Sequence, residues 1–207
     1  MKRVPQLYLV TDRHATLGRS LLATVEEALR GGVDAVQLRE KDLPGHELFE
    51  LAVALRRLCH RYGAQLLIND RVDVALACEA DGVHLPEKSF TPAEARSLLG
   101  ERKLIGCSVH RIEDLRSPTL AGADFVVFGP VFDTPSKRPF GPPAGLDRLA
   151  RAVRECALPL LAIGGVDASR AQELRKIGVH GVAAIRALLS VADACQAAAE
   201  LRQAIAS

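Results

Sequence analysis

The chain has 207 residues, with 27 Lys and Arg against 25 Asp and Glu for a net charge of +2. That length suits one domain, 1–207, with a sizeable core, and the charges are interspersed, with no basic run that reads as a nucleic-acid arm. Two Tyr, six Phe and no Trp leave little for base stacking, no apolar stretch approaches a membrane span, and Met1-Lys2-Arg3 leads into no leader-like apolar region.

Short apolar runs alternate with helical periodicity along the whole chain. Residues 7–12 read as a strand, and residues 20–30 as a helix that stops at Gly31-Gly32. A second strand, 34–38, leads through Pro44-Gly45 into a helix over 45–62 closed by Gly63. The third strand is 65–70, followed by a short helix over 72–78, and the fourth is 82–86. Thr91-Pro92-Ala93-Glu94 is a capping box with Pro at the first helical position, and its helix ends at Gly100. The fifth strand is 104–109. Residues 112–121 are predicted helical, with Pro118 forcing a break. The sixth strand is 125–129, and a polar loop over 133–143 precedes a helix over 146–156. Residues 158–165 form the seventh strand, 168–177 a helix, 181–185 the eighth strand and 192–205 the last helix.

Eight strand–helix pairs, with strands apolar on both faces, predict a closed (β/α)8 TIM barrel; an open doubly wound sheet is the runner-up. No GxGxxG follows the first strand, which weakens a dinucleotide reading. The five cysteines (59, 78, 107, 156 and 195) lack metal-like spacing. They read as reduced, mostly packed thiols in a cytoplasmic protein.

In a barrel of this kind, polar residues at the carboxyl ends of the strands line one mouth. Here they are Asp12, the Gln37-Arg39-Lys41 set, Asn69-Asp70, His84, Ser108 with His110, the loop Thr134-Pro135-Ser136-Lys137, Gly164-Gly165 and Arg186. Gln37, Arg39 and Lys41 alternate onto one face and make an anion clamp, in which Arg forks onto phosphate oxygens and Lys adds a point charge. Gly164-Gly165 allows a phosphate close to the backbone, or is simply a turn. Asp70 either holds Mg²⁺ beside a diphosphate or caps the following helix. His84 is either a mouth residue or a satisfied core imidazole. No Ser-His-Asp grouping follows from spacing.

These motifs resemble one family. Gln37-Leu38-Arg39-Glu40-Lys41, Asn69-Asp70, Asp81-Gly82-Val83-His84-Leu85, Gly129-Pro130-Val131-Phe132 with Thr134-Pro135-Ser136-Lys137, and Ile163-Gly164-Gly165 are similar, in order and over nearly the whole chain, to the thiamine phosphate synthase and thiazole tautomerase family. The resemblance implies a transferase joining hydroxymethylpyrimidine diphosphate to a thiazole phosphate with release of diphosphate. It assigns Gln37, Leu38, Arg39, Glu40, Lys41, Asn69, Ser108 and Lys137 to the pyrimidine diphosphate and Asp70 to Mg²⁺. Thr134, Pro135, Ser136, Gly164, Gly165, Ile185 and Arg186 fall to the thiazole phosphate. Arg39, Lys41, Lys137 and His110 are the expected catalytic groups.

Two positions depart from the synthase pattern: Ser89 stands where a second Mg²⁺ ligand Asp is usual, and Arg186 where Ser is usual. The wording over 85–90 looks like the tautomerase branch, yet Pro130 stands where that branch can carry a His. A thiazole tautomerase is therefore the alternative enzyme, and a non-catalytic phosphate-ligand sensor a third reading. Small phosphorylated molecules are the expected partners, without nucleic acid or membrane, and a homo-oligomer is left open.

Overall fold

The computed structural model describes residues 2–134 and 141–206. The strands are β1 (Leu7–Val10), β2 (Ala35–Leu38), β3 (Gln65–Asn69), β4 (Gly82–Leu85), β5 (Leu104–Val109), β6 (Phe125–Phe128), β7 (Leu160–Ile163) and β8 (Gly181–Ala184). The helices are α1 (Leu21–Arg30), α2 (Gly45–Arg61), α3 (Val72–Ala77), α4 (Pro92–Leu99), α5 (Gly145–Glu155), α6 (Ala168–Ile177), α7 (Arg186–Leu189) and α8 (Ala194–Ala206). Every strand runs parallel to its neighbours, and β8 pairs with β1 to close a (β/α)8 barrel. The closed barrel excludes the open doubly wound sheet.

Alternation of side chains divides the core in two. Tyr8, Val10, Ala35, Leu67, Leu104, Phe125, Val127, Leu161 and Ala183 fill the barrel. Their neighbours in sequence, such as Leu9, Val36, Leu38, Ile68 and Val126, face the helical layer. Phe125 takes the space that a side chain at Gly106 would need: a Cβ there would lie 2.3 Å from its Cζ.

Three aspartates close the amino-terminal face. Asp34, just before β2, accepts hydrogen bonds from the Gln6 and Leu7 amides and an ion pair from Arg202. Asp81, before β4, accepts from the Leu66 amide. Asp124, before β6, accepts from the Ile105 amide and pairs with Arg96. Each carboxylate thus satisfies a donor at the start of the preceding strand, a stabilising duty at the end of the barrel remote from the mouth.

Differences from the expected elements are local. Residues 112–121 form two 3₁₀ turns, Ile112–Arg116 and Pro118–Leu120, instead of one helix; the break falls at Pro118, which lacks the amide hydrogen a helix needs. β1 ends at Val10, and the Asp12 side chain caps a 3₁₀ turn by accepting from the His14 amide. α7 is too short to leave a period in the sequence. All five cysteines are free, and burial pushes the Cys59 and Cys107 thiols up to about 12, as inert packed thiols require. Among the described residues no helix is long and apolar enough to cross a membrane.

Candidate active site

The carboxyl ends of the strands gather most of the expected residues on one face. β2 stops at Leu38, so Gln37 alone of the clamp is a strand residue; Arg39 and Lys41 sit in the loop beyond it. Gln37 is buried inside the barrel, and its amide nitrogen lies 3.1 Å from the Tyr8 hydroxyl. Arg39 is half-buried, its backbone amide held at 2.8 Å by the hydroxyl of the buried Thr11. Lys41 is exposed.

Two members of the five-residue motif turn their side chains to other parts of the protein. Leu38 packs into the layer between barrel and helices. The buried Glu40 carboxylate takes the Arg13 amide at 3.1 Å and the Arg13 guanidinium at 3.3 Å. Arg13 also forks onto Asp42 at 2.5 and 2.7 Å, which holds the Asp42 carboxyl well below the usual range. Glu40 therefore ties the loop after β2 to the loop after β1, a role that side-chain alternation alone does not reveal.

Asn69 ends β3 opposite His84 of β4. Asp70 follows with φ at +66°, a left-handed conformation that Asp tolerates better than most residues. Its amide donates to the His84 carbonyl at 2.9 Å. Asp70 does not cap α3, whose N-cap residue is Arg71 with no side-chain cap. Its exposed carboxylate instead accepts a hydrogen bond from Ser89, in the loop after β4.

Inside the barrel, His84 lies against Tyr8 and Phe125, with ring centroids 6.0 and 6.2 Å away. Its Nε2 is 2.9 Å from the Ser108 hydroxyl on β5. Burial, reinforced by the nearby Arg39 charge, lowers its pKa to about 3, so the ring is neutral. Among the described residues its Nδ1 has no partner, so the imidazole is a core group without full satisfaction. His110 is exposed, and its Nδ1 bonds the Gly129 carbonyl, tying the end of β5 to that of β6.

After β7, Gly164 and Gly165 have φ of +98° and +65°. The turn packs so closely on the segment after β6 that a Cβ on Gly164 would lie 2.6 Å from the Pro130 Cα. Backbone bonds of 2.8 and 3.0 Å from Val131 to Ile163 and from Phe132 to Gly164 lock the two segments together. Arg170 reinforces the joint, stacking 4.8 Å from the Phe132 ring centre and donating to the Gly165 carbonyl. Thr134 donates its hydroxyl proton to the Phe132 carbonyl. Pro135, Ser136 and Lys137 lie outside the described residues. Ile185 is the N-cap residue of α7, and Arg186 is that helix's exposed first residue, not a strand end.

No group of three or more His, Cys, Asp or Glu side chains is placed to hold a metal among the described residues. Asp70 beside Ser89 offers one carboxylate and one hydroxyl. That set fits Mg²⁺ only where phosphate oxygens and waters complete six ligands, the common arrangement for this ion.

Fold and site define the class: a (β/α)8-barrel enzyme with Arg39, Lys41 and Arg186 at the carboxyl end of its barrel. The pattern of the thiamine monophosphate synthase family matches residues 7–188. A Geobacter sulfurreducens relative is 53% identical over 187 residues, covering 90% of this chain and 88% of its own. A Syntrophomonas wolfei relative named thiamine-phosphate synthase is 45% identical, covering 95% and 94%. A solved structure of thiamine phosphate pyrophosphorylase from Pyrococcus furiosus superposes with a TM-score of 0.87 at 36% identity, covering 97% of this chain and 95% of that one. The chain belongs to the thiamine monophosphate synthase family, and its enzyme type is that of a thiamine-phosphate synthase. The tautomerase alternative is not favoured by these relatives.

Proposed function

We propose that the mouth binds hydroxymethylpyrimidine diphosphate on the Arg39 and Lys41 side and a thiazole phosphate on the Gly164-Gly165 side, and couples them with release of diphosphate. The observation that carries this reading is the gathering of Arg39, Asp70, Ser108 and the Gly164-Gly165 turn at the carboxyl ends of the strands in a member of this family.

Departure of diphosphate leaves a pyrimidine-stabilised cation, so the main catalytic task is to stabilise the anion that leaves. Arg39, whose backbone amide is held by Thr11, and Lys41 provide positive charge there. Lys137 completes that set by the family resemblance. Asp70 would hold Mg²⁺, with Ser89 in the place of a second carboxylate. The ion would supply further neutralisation of the diphosphate oxygens. The Gly164-Gly165 turn presents backbone close to the thiazole phosphate, and Arg186 adds charge at the start of α7. His110 acts through the Gly129 carbonyl, holding the segment against which that turn packs. No nucleophilic side chain is required, and no Ser-His-Asp grouping follows from spacing in the sequence. Reduced thiols suit the cytoplasm.

The test is turnover with both substrates, with and without Mg²⁺, following diphosphate release. Metal-dependent release is the expected result. Proton exchange on a carboxythiazole phosphate without metal would replace this reading with the tautomerase, and ligand binding with neither reaction would replace it with a sensor.

A further inference from the structure

The His84–Ser108 pair has a direction, and that direction sets what Ser108 offers to a ligand. His84 is 2% exposed, and among the described residues only Nε2 of its ring has a partner, the Ser108 hydroxyl at 2.9 Å. Its buried Nδ1 has none among the described residues. A neutral imidazole carries one proton, on one nitrogen or the other. With the proton on Nδ1, a buried donor would lack an acceptor. With the proton on Nε2, the donor is used and Nδ1 keeps only an unmatched lone pair. Buried donors without acceptors are the rarer defect in folded proteins.

We propose that His84 is a positioning residue: its Nε2–H donates to the Ser108 oxygen and thereby makes Ser108 a fixed hydrogen-bond donor toward the mouth. A serine hydroxyl has one proton and two lone pairs. Once His84 occupies a lone pair, the Ser108 proton points away from the ring. Ser108 is the last inward-facing residue of β5, two positions beyond Gly106, and is half-buried where the barrel opens. A donor held there takes a lone-pair acceptor on the ligand, a ring nitrogen or a diphosphate oxygen, and discriminates against a donor at the same place. This use of Ser108 rests on the function proposed above; the direction of the hydrogen bond does not.

Ring-nitrogen NMR reads the direction in the folded protein. Replacing the five exposed histidines (14, 46, 60, 110 and 180) by Gln leaves His84 as the sole ring signal. At pH 7 the proton is expected on Nε2 with Nδ1 bare, and Ser108→Ala should shift the Nε2 signal most. A proton on Nδ1 would overturn the proposal.

Kinetics read the consequence. Ser108→Ala and His84→Phe should each raise the KM for the pyrimidine diphosphate roughly tenfold, the size of one hydrogen bond. The double variant should be no worse than Ser108→Ala, and His84→Gln, whose amide N–H can replace Nε2–H, should recover much of the loss. Fully additive effects would overturn the positioning role. Weaker competition by inorganic diphosphate in Ser108→Ala would assign the acceptor to the diphosphate, and unchanged competition to the ring. Absence of coupling in the unmodified enzyme would strike the proposed function alone, because the ring spectra still decide the direction.

Discussion

The Ser89 hydroxyl donates a hydrogen bond to the Asp70 carboxylate, joining the loops after β3 and β4 at the mouth. Nineteen positions apart in sequence, the two side chains form one oxygen pair, a carboxylate and a hydroxyl, which the proposed function assigns to Mg²⁺. Ser89→Asp should therefore raise Mg²⁺ affinity and lower the Mg²⁺ concentration giving half-maximal coupling. Titration of rate against Mg²⁺ in both proteins checks this, and an unchanged midpoint would place the ion elsewhere.

Lys41→Ala should weaken binding of the diphosphate substrate and slow turnover, at a cost of about 1.5–3 kcal/mol for a charge-assisted contact. Lys41 is exposed, so the melting temperature should stay near that of the parent. Steady-state kinetics beside a thermal melt separate the two effects, and parental kinetics would show that Lys41 points away from the ligand.

Gly164→Ala should damage the thiazole-phosphate side of the site. The new Cβ meets Pro130 at 2.6 Å in a backbone conformation at φ +98° that Ala adopts poorly. Forcing it costs on the order of 1–3 kcal/mol. A raised KM for the thiazole phosphate, with the pyrimidine KM little changed, is the expected signature.

Asp34→Ala should do the opposite, lowering stability while sparing the chemistry. Its carboxylate serves the Gln6 and Leu7 amides and Arg202 at the amino-terminal face. Leaving these partly buried donors unmatched costs about 1–3 kcal/mol. Denaturant unfolding should show the loss, and kcat at 25 °C should be near the parental value.

Stability should depend on pH through His84. Its pKa falls from 6.5 to about 3 on folding, so between these values the unfolded chain binds the extra proton. Stability therefore rises with pH across that window, is complete above the unfolded value, and is lost as the solution is acidified. The slope for one such group is at most about 1.4 kcal/mol per pH unit. His84→Gln should flatten the unfolding free energy between pH 4 and 6, and an unchanged slope would assign the acid sensitivity to other groups.

The barrel was legible in the sequence because both of its determinants are local. Strands buried on both faces read as short apolar runs, and the helices between them carry their own periods and caps, such as the Thr91–Glu94 box seen in α4. Arg39, Asp70, Ser108 and Gly164 could be placed at the mouth because strand ends in a barrel share one face. Only the tertiary structure decided what each side chain meets. Glu40 is drawn to Arg13 of another loop, Leu38 turns to the helices, and Arg186 opens α7 instead of ending β8. The Ser89–Asp70 and His84–Ser108 bonds are likewise contacts between neighbouring strand units. Distance in space between side chains of different units is set by barrel closure and register, and neither propensity nor periodicity within one segment contains it.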